Sequence, residues 1–213
     1  MANLFLWYDT ELSDVLVDEI INLGHSGEEV ESRVADGQLN NKIRESKVTW
    51  LPSKHWIGGF IMSYVLRANN ENFLYDIDGI EGQGLQFTSY SNGGHYYWHS
   101  DIAVDDYYQP QSRDNLDVFD NKYALGNSRI NDFIISNVEK PRKLSFSLQL
   151  SDANSYEGGN LQFMSDANHK IYNAPRRRGT LIVFDSRLRH RVSKVRSGRR
   201  ESLVGWVNGP RWR

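Results

Sequence analysis

Two stretches in the first eighty residues place apolar side chains at the spacing of an amphipathic helix. The first stretch has Asp9 or Thr10 as its predicted N-cap and Gly24 as its predicted stop. The second predicts a helix over Trp56–Arg67, and the polar residues Ser26–Ala35 between them predict a further short helix. These stripes are expected to brace one side of a sheet, through Leu12, Val15, Leu16, Ile20, Ile21, Ile57, Phe60, Ile61, Tyr64 and Val65.

From Gly84 onward the pattern changes to short β-rich runs that are separated by Gly, Asn, Asp and Ser. Lys47–Leu51 already alternates like a strand. Eight later runs predict strands: Gly84–Tyr90, Tyr96–Ile102, Lys143–Ser151, Asn160–Met164, His169–Asn173, Thr180–Asp185, His190–Val195 and Glu201–Val207. Eight short strands after a helical preface predict a mainly β fold with N-terminal helices (α+β), built as a double-stranded β-helix, the cupin-like jelly roll.

We expect one domain over residues 1–213, with a helical preface to about residue 80 and a jelly-roll core over about 84–210. The long polar stretch Asp105–Asp132 has no clear periodicity and directly follows a candidate ligand strand. A mobile lid over the site is the hypothesis for this stretch.

The composition favours a globular chain without a special partner class. The net charge is −2, so no overall field favours nucleic acid or a membrane. There is no cysteine, which excludes disulfides and thiolate metal sites and suits a reducing cytoplasm. Neither a signal peptide nor a membrane span is predicted, so the expected location is cytoplasmic. The oligomeric state stays open.

Basic residues concentrate near the C-terminus. Residues 175–213 contain eleven Arg and one Lys against only Asp185 and Glu201. Two interpretations are open: a solvated basic face, or a cavity mouth that attracts anions.

The chemistry of the chain is centred on His99-Ser100-Asp101. Successive side chains of a strand point to opposite faces, so His99 and Asp101 would share one face. An imidazole and a carboxylate supply two ligands of a non-haem iron(II) site, and a second histidine, His190, would complete it. The remaining histidines are predicted to be structural: His25, His55, His95 and His169.

An anion-binding group follows His190. Arg200 comes ten residues later, and Ser202 points the same way in a strand, so a guanidinium and a hydroxyl can grip one carboxylate. Tyr90, nine residues before His99, can add a phenol hydrogen bond. The Gly158-Gly159 pair predicts a turn with positive φ and no phosphate cradle.

The ordered set of motifs resembles the iron(II) and 2-oxoglutarate-dependent oxygenases in their prolyl 4-hydroxylase-like branch, over roughly Arg44–Pro210. Tyrosines stand nine and three positions before His-x-Asp. Downstream come a basic-Leu-Ser strand, a Gly-Gly pair, a Gly-led apolar strand, the distal histidine, a Val-x-x-Gly turn, a basic residue at plus ten and a tryptophan six residues beyond it. These motifs are found here as Lys143–Leu150, Tyr156–Phe163, Gly179–Phe184, His190, Val195–Gly198, Arg200 and Trp206.

The resemblance implies a role for each matching residue. His99, Asp101 and His190 are the implied iron ligands, and Arg200, assisted by Tyr90 and Ser202, is implied to bind the distal carboxylate of 2-oxoglutarate. Contacts with substrate are implied for Tyr96, Trp206 and one arginine of the loop after His-x-Asp, either Arg113 or Arg129. The arginine at plus ten, where several animal and plant relatives have lysine, and the ending Ser202–Pro210 resemble bacterial and phage members.

The function implied is hydroxylation of a C–H bond with Fe(II), 2-oxoglutarate and O2, releasing succinate and CO2, with ascorbate as a supporting reductant. The expected substrate is a prolyl residue in a peptide or protein. A free amino acid or other small metabolite, nucleic-acid demethylation and a non-catalytic jelly-roll binding module are the alternatives. Nucleic acid is disfavoured because demethylases place their arginine further from the distal histidine.

Overall fold

The computed structural model of the protein describes residues 3–32, 40, 42–82, 84–102 and 141–210. Two α-helices lie in this part of the chain, α1 (Asp14–Ser26) and α2 (Trp56–Ala68), and a π-helical turn, Asn69–Phe73, follows α2. The strands are β1 (Phe5–Asp9), β2 (Val30–Glu31), β3 (Arg44–Glu45), β4 (Lys47–Leu51), β5 (Gly79–Ile80), β6 (Leu85–Tyr90), β7 (His95–His99), β8 (Arg142–Gln149), β9 (Tyr156–Gly158), β10 (Leu161–Met164), β11 (Ile171–Asn173), β12 (Thr180–Asp185), β13 (His190–Val192), β14 (Val195–Gly198) and β15 (Arg200–Asn208).

The strands form two principal antiparallel sheets. The main sheet has the order β1-β12-β8-β15-β6-β4-β2, with β5 also paired to β15. The second sheet has the order β11-β10-β13-β7-β3, and β14 and β9 form a separate ribbon. Apolar side chains from both sheets meet in one buried cluster that includes Phe163, Ile182 and Phe184. The predicted double-stranded β-helix of the jelly-roll class is confirmed.

Strict alternation along the main sheet separates a helix-packed face from a face that looks toward the second sheet. In β12, Leu181 and Val183 belong to the cluster under the helices, whereas Ile182 and Phe184 belong to the cluster between the sheets. This is the period of two that a strand buried on both faces requires.

Helix α2 packs its apolar stripe on the first of these faces. Ile57, Ile61 and Val65 are 0% exposed and belong to the same cluster as Leu144 and Leu203 of the sheet. Truncation of one such isoleucine to alanine is expected to cost about 2–5 kcal/mol. The helices therefore cover one face of the main sheet, and the opposite face remains directed toward the second sheet.

Three predictions for the N-terminal region are wrong. Asp9 does not cap α1, because it ends β1 and pairs with Thr180, and the capping position falls on Ser13. Gly24 does not end α1 but lies inside it, where a Cβ would come within 2.4 Å of the Phe87 ring. The absence of a side chain there permits close packing of the helix on the sheet.

The predicted short helix over Ser26–Ala35 is also wrong over its described part. Val30–Glu31 pairs with β4 as a strand, and no helical residue follows Ser26 before residue 33. The Thr10 hydroxyl donates a hydrogen bond to the carbonyl of Gly179 instead of capping a helix. Polar composition alone did not distinguish a short edge strand from a helix.

The α2 and β4 predictions are confirmed, and each of the eight strands predicted after Gly84 has a counterpart in the structure. Strands β1, β2, β3, β5, β9 and β14 were not predicted. All six are only two to five residues long, so each offers few residues in which alternation can be seen. The predicted lid, Asp105–Asp132, lies outside the described residues.

Neither helix of the described chain is long and apolar enough to cross a membrane.

Candidate active site

Three predicted ligand residues come together between β7 and β13. His99 ends β7, His190 begins β13, and the two are direct partners in the sheet register. One ligand atom from each of His99, Asp101 and His190 lies within 4.8 Å of the others. Nε2 of His99 is 3.7 Å from Oδ1 of Asp101, and Nε2 of His190 is 3.5 Å from Oδ2. Two imidazoles and one carboxylate at this spacing suit a divalent iron ion with open coordination positions.

Backbone carbonyls fix both imidazole tautomers. Nδ1 of His99 donates to the carbonyl of Tyr97 at 2.8 Å, and Nδ1 of His190 donates to the carbonyl of Leu188 at 2.9 Å. A carbonyl only accepts, so each Nδ1 carries a proton, and in the neutral form of each ring the lone pair is on Nε2, which points at Asp101. Burial, with the neighbouring charge of His190, lowers the pKa of His99 to about 3. His99 is therefore a neutral imidazole at physiological pH, as a metal ligand must be.

Asp101 is held by contacts other than the sheet ladder. The prediction that the strand runs on to Ile102 is wrong, because β7 ends at His99. The Asp101 amide donates to the carbonyl of Ser186 at 2.9 Å, and the Ser145 hydroxyl donates to Oδ2 at 2.7 Å. Burial raises the pKa of Asp101, but electrostatic interactions with His190, His99 and Arg142 and the hydrogen bond from Ser145 outweigh burial, so the pKa lies below its usual value.

A cavity of about 530 Å³ separates the two sheets and includes the triad in its wall. Its volume lies within the range typical of small-molecule sites. Apart from Phe146, which belongs to the cluster under the helices, the lining residues of the main sheet face away from the helices, and most of them are polar. The cavity-lining residues of β6, β8 and β15 are Gln86, Thr88, Tyr90, Phe146, Ser147, Arg200, Ser202, Val204 and Trp206.

Arg200 is the most deeply buried cation of the described chain, at 2% exposed. Its Nη1 donates to the Ser202 hydroxyl at 3.1 Å and its Nη2 to the Gln149 side-chain oxygen at 3.0 Å. Its Nε is buried with no partner among the described residues, and neither of the two acceptors is charged. A buried cation without a counter-charge is costly. The cavity wall is therefore suited to an anionic ligand, and a carboxylate matches the planar guanidinium.

The other residues predicted for this end of the cavity lie beside Arg200. Tyr90 pairs with Arg200 across the strands, and the guanidinium carbon is 5.5 Å from the Tyr90 ring centre.

Gly158 and Gly159 have φ values of 73° and 59°, which confirms the predicted positive-φ turn. A Cβ on Gly159 would lie 3.1 Å from Cδ of Arg200, so this glycine leaves room for the arginine stem.

Tyr96 and Trp206, predicted to contact substrate, both line the cavity. The Tyr96 ring stacks on His99, with centroids 3.5 Å apart, and burial raises its pKa to about 12. The Arg142 guanidinium lies 3.8 Å above the Trp206 ring. Trp50 also lines the cavity and is 39% exposed, which places this indole at the open side. The other two residues predicted to bind substrate, Arg113 and Arg129, lie outside the described residues.

Several site residues were missed in the sequence. Gln149 and Ser145 lie on β8, where polar residues at 145, 147 and 149 alternate with Leu144, Phe146 and Leu148. That alternation inside a buried strand indicated an inward polar face and was the available signal. Arg142 had no comparable signal, because its contacts to Glu81 and Trp206 join distant parts of the chain.

The C-terminal arginines are mostly bound to groups of the chain itself. Arg177 pairs with Asp9, Arg178 with Asp18, and Arg187 with Asp185. Arg176 donates to the carbonyls of Ala153 and Tyr156, and Arg191 to the side-chain oxygen of Gln162. These partners favour a structural role for the run, and Arg200 is its member that faces the cavity.

The predicted structural histidines stand apart from the triad. His25 Nε2 lies 2.8 Å from Glu201, and His95 contacts the carbonyls of Gly93 and Lys42. Among the residues that the structure describes, the triad is the one cluster of three potential metal-ligating side chains.

Comparison with known families decides the assignment. Residues 85–208 match the sequence model of the 2OG-Fe(II) oxygenase superfamily. The chain belongs to this superfamily. The matched range contains the triad and Arg200, so the superfamily assignment and the site geometry concern the same residues.

Curated relatives match a shorter segment of the chain. A PKHD-type hydroxylase of Parvibaculum lavamentivorans is 41% identical over 64 residues, which are 30% of this chain and 28% of the relative. A PKHD-type hydroxylase of Synechococcus is 39% identical over the same length and the same shares. The chain thus matches less than a third of the length of these relatives.

Solved structures resemble the fold over nearly the whole chain. A prolyl-4-hydroxylase of Pseudomonas putida has a TM-score of 0.64 at 18% identity and covers 99% of this chain and 94% of its own. A Trichoplax adhaerens prolyl hydroxylase, in complex with a hypoxia inducible factor peptide fragment, has a TM-score of 0.67 at 18% identity and covers 96% and 83%. These likenesses establish the fold.

Proposed function

We propose that the protein is an iron(II)- and 2-oxoglutarate-dependent dioxygenase that hydroxylates a C–H bond, with prolyl residues of a peptide or protein as the substrate. The observation that carries the proposal is the pairing, in one cavity, of a His-Asp-His cluster with a buried arginine that has no counter-charge among the described residues. The first suits a ferrous ion, and the second suits the distal carboxylate of a dicarboxylic acid.

Residues at one end of the cavity would bind the metal, and residues at the other end would bind the cosubstrate. His99 and His190 would each bind the metal through Nε2, and Asp101 through a carboxylate oxygen. Bound iron(II) would supply activation of O2, with 2-oxoglutarate as the reducing cosubstrate and succinate and CO2 as co-products. Arg200, with Ser202 and Tyr90 beside it, would hold the distal carboxylate and so fix the orientation of the cosubstrate.

The open side of the cavity would receive the substrate. Trp50, Trp206 and Tyr96 provide aromatic faces there, and Arg142 covers one face of the Trp206 indole. Aromatic rings provide flat apolar surface for a pyrrolidine ring and exclude water from the reacting centre. The prolyl hydroxylase structures similar in fold, one of them with a bound peptide, support a peptide substrate. Support by ascorbate and a cytoplasmic location stay predictions.

The proposal is tested in two stages. The purified protein is incubated with iron(II), ascorbate and 2-oxoglutarate, and the release of succinate is first measured without any prime substrate. A panel of proline-containing peptides is then added, and products are examined by mass spectrometry. A gain of one oxygen localised to proline by fragmentation is the expected result.

Other outcomes reject specific parts of the proposal. Stimulation by free amino acids and not by peptides would favour a small-metabolite hydroxylase. Steeply salt-dependent oligonucleotide binding would favour nucleic-acid demethylation. Absence of succinate under every condition, from a protein that still binds metal, would favour a binding module.

A further inference from the structure

A chain of buried hydroxyl groups leads from the main sheet to the carboxylate of Asp101. The Ser145 hydroxyl lies 2.7 Å from Oδ2 of Asp101, and the Ser186 hydroxyl lies 2.9 Å from that of Ser145. Ser145 and Ser186 are 1% and 0% exposed. A buried hydroxyl needs a hydrogen-bond partner, and here the hydrogen bonds connect Ser186, Ser145 and Asp101 in one continuous path.

The hydrogen bonds of this path all donate in one direction, from Ser186 toward Asp101. An ionised carboxylate only accepts hydrogen bonds, so the Ser145 proton must point at Asp101. The Ser145 oxygen then accepts from Ser186, which is the donor at the far end. Hydrogen bonds in such a series polarise one another, so the bond to the carboxylate is stronger than an isolated one.

Ser186 also fixes the backbone of Asp101. The Asp101 amide donates to the Ser186 carbonyl at 2.9 Å, and Arg142 Nη1 donates to the Asp101 carbonyl at 3.3 Å. These contacts replace the sheet ladder, because β7 has ended two residues earlier. Side chain and main chain of Asp101 are thus both bound to Ser145 and Arg142 of β8 and to Ser186, which directly follows β12.

We infer that Ser145 and Ser186 are positioning residues that hold Asp101 as a one-oxygen ligand. Because Oδ2 already shares electron density with the Ser145 hydroxyl, Oδ1, which lies 3.7 Å from Nε2 of His99, is the stronger donor to a metal. A carboxylate that binds through one oxygen leaves a coordination position open that a two-oxygen carboxylate would fill. The inference rests on the proposed metal site, and it adds to that proposal the groups that keep the site accessible to cosubstrate and O2.

The test uses manganese(II) as a redox-stable probe, added to metal-free protein, with free Mn(II) followed by its electron paramagnetic resonance signal. Ser145→Ala is expected to weaken Mn(II) binding about 10- to 100-fold, the range seen for partners that orient metal ligands. Ser186→Ala should weaken binding by a smaller factor, because Ser145 can still donate. Ser145→Cys keeps a weak donor of similar size and should fall between Ser145→Ala and the unmodified protein.

A matched control comes from a second serine pair. The hydroxyls of Ser32 and Ser46 are 2.7 Å apart, and neither residue lines the cavity. Ser32→Ala removes a buried hydroxyl of the same kind and should leave Mn(II) affinity unchanged. Circular dichroism and thermal unfolding of each variant separate loss of fold from loss of metal.

The outcomes distinguish this inference from the proposed function. If the unmodified protein does not bind Mn(II), the metal site itself is wrong. If it binds and Ser145→Ala binds equally well, the positioning role is overturned while the metal site stands. If Ser145→Ala binds more weakly but Ser186→Ala matches the unmodified protein, Ser186 has no positioning role and the inference for the serine pair fails.

Discussion

Replacing Arg200 with methionine removes the proposed cosubstrate anchor while keeping a long apolar stem. The guanidinium is 2% exposed and its described partners are two neutral side chains, Ser202 and Gln149. A bound carboxylate would therefore supply its counter-charge. Loss of one partner from such a buried charge pair costs about 2–5 kcal/mol. At 1.4 kcal/mol per tenfold, a loss of about 3 kcal/mol corresponds to an increase of about 100-fold in the 2-oxoglutarate requirement.

The assay is succinate release at saturating iron(II) over a range of 2-oxoglutarate concentrations. The rise in melting temperature expected on addition of 2-oxoglutarate in the presence of metal provides a second measurement. Arg200→Lys keeps the charge but not the planar fork, so an increase of about tenfold is expected. Gln149→Glu should also raise the requirement, because an internal carboxylate 3.0 Å from Nη2 would compete with the cosubstrate.

The matched control removes another arginine that is not exposed. Arg176 donates to the carbonyls of Ala153 and Tyr156 away from the cavity, so Arg176→Met should lower stability without changing the 2-oxoglutarate requirement. An Arg200→Met protein whose requirement stays within twofold of the unmodified protein would refute the assignment of the anchor. So would an equal rise in Arg176→Met.

Three further predictions concern the metal, the core and the glycine turn. Removal of metal with a chelator should abolish succinate release, and saturation with Mn(II) at about 100 times its Kd should raise Tm by about 5–10 °C; unchanged turnover after chelation would contradict the triad. Gly24→Ala should lower the free energy of unfolding, measured in urea, by about 1–3 kcal/mol, because the new Cβ would contact the Phe87 ring. Gly59→Ala, with open space around its Cβ, should leave this free energy unchanged or raise it. Equal effects of the two substitutions would contradict the packing argument. Gly159→Ala should raise the 2-oxoglutarate requirement severalfold by crowding the stem of Arg200, and an unchanged requirement would show that the stem can move.

The sequence predicted the parts of the fold where side-chain periodicity is long enough to be visible. Helix α2 and strand β4 follow their predicted ranges closely, because an uninterrupted stripe or alternation runs through each. Strand β1 was missed because Phe5–Asp9 reads apolar on both faces, and its pairing with β12 depends on contacts 170 or more residues away. Gly24 was wrongly predicted to end α1. Its close packing against Phe87 outweighs the usual tendency of glycine to end a helix.

The candidate site was predictable where chemistry and spacing coincide. His99, Asp101 and His190 were named from their residue types and order, and the structure brings them within 4.8 Å. Their supports were not predicted, since Ser145 and Ser186 are ordinary serines in a sequence and acquire a role only when β8 and β12 pair. Residues of this kind become visible through three-dimensional contacts alone.

Strand β15 links the lining of the cavity to correct folding. Leu203 and Val207 face the helices, while Arg200, Ser202 and Trp206 line the cavity on the other side. A shift of the strand register by one residue would exchange the two sets. The Arg200 guanidinium would then lie among the apolar side chains under the helices, and Leu203 would lie in the cavity. Misregistered molecules would thus be unstable as well as inactive, so the number of functional sites in a preparation is expected to equal the number of folded chains.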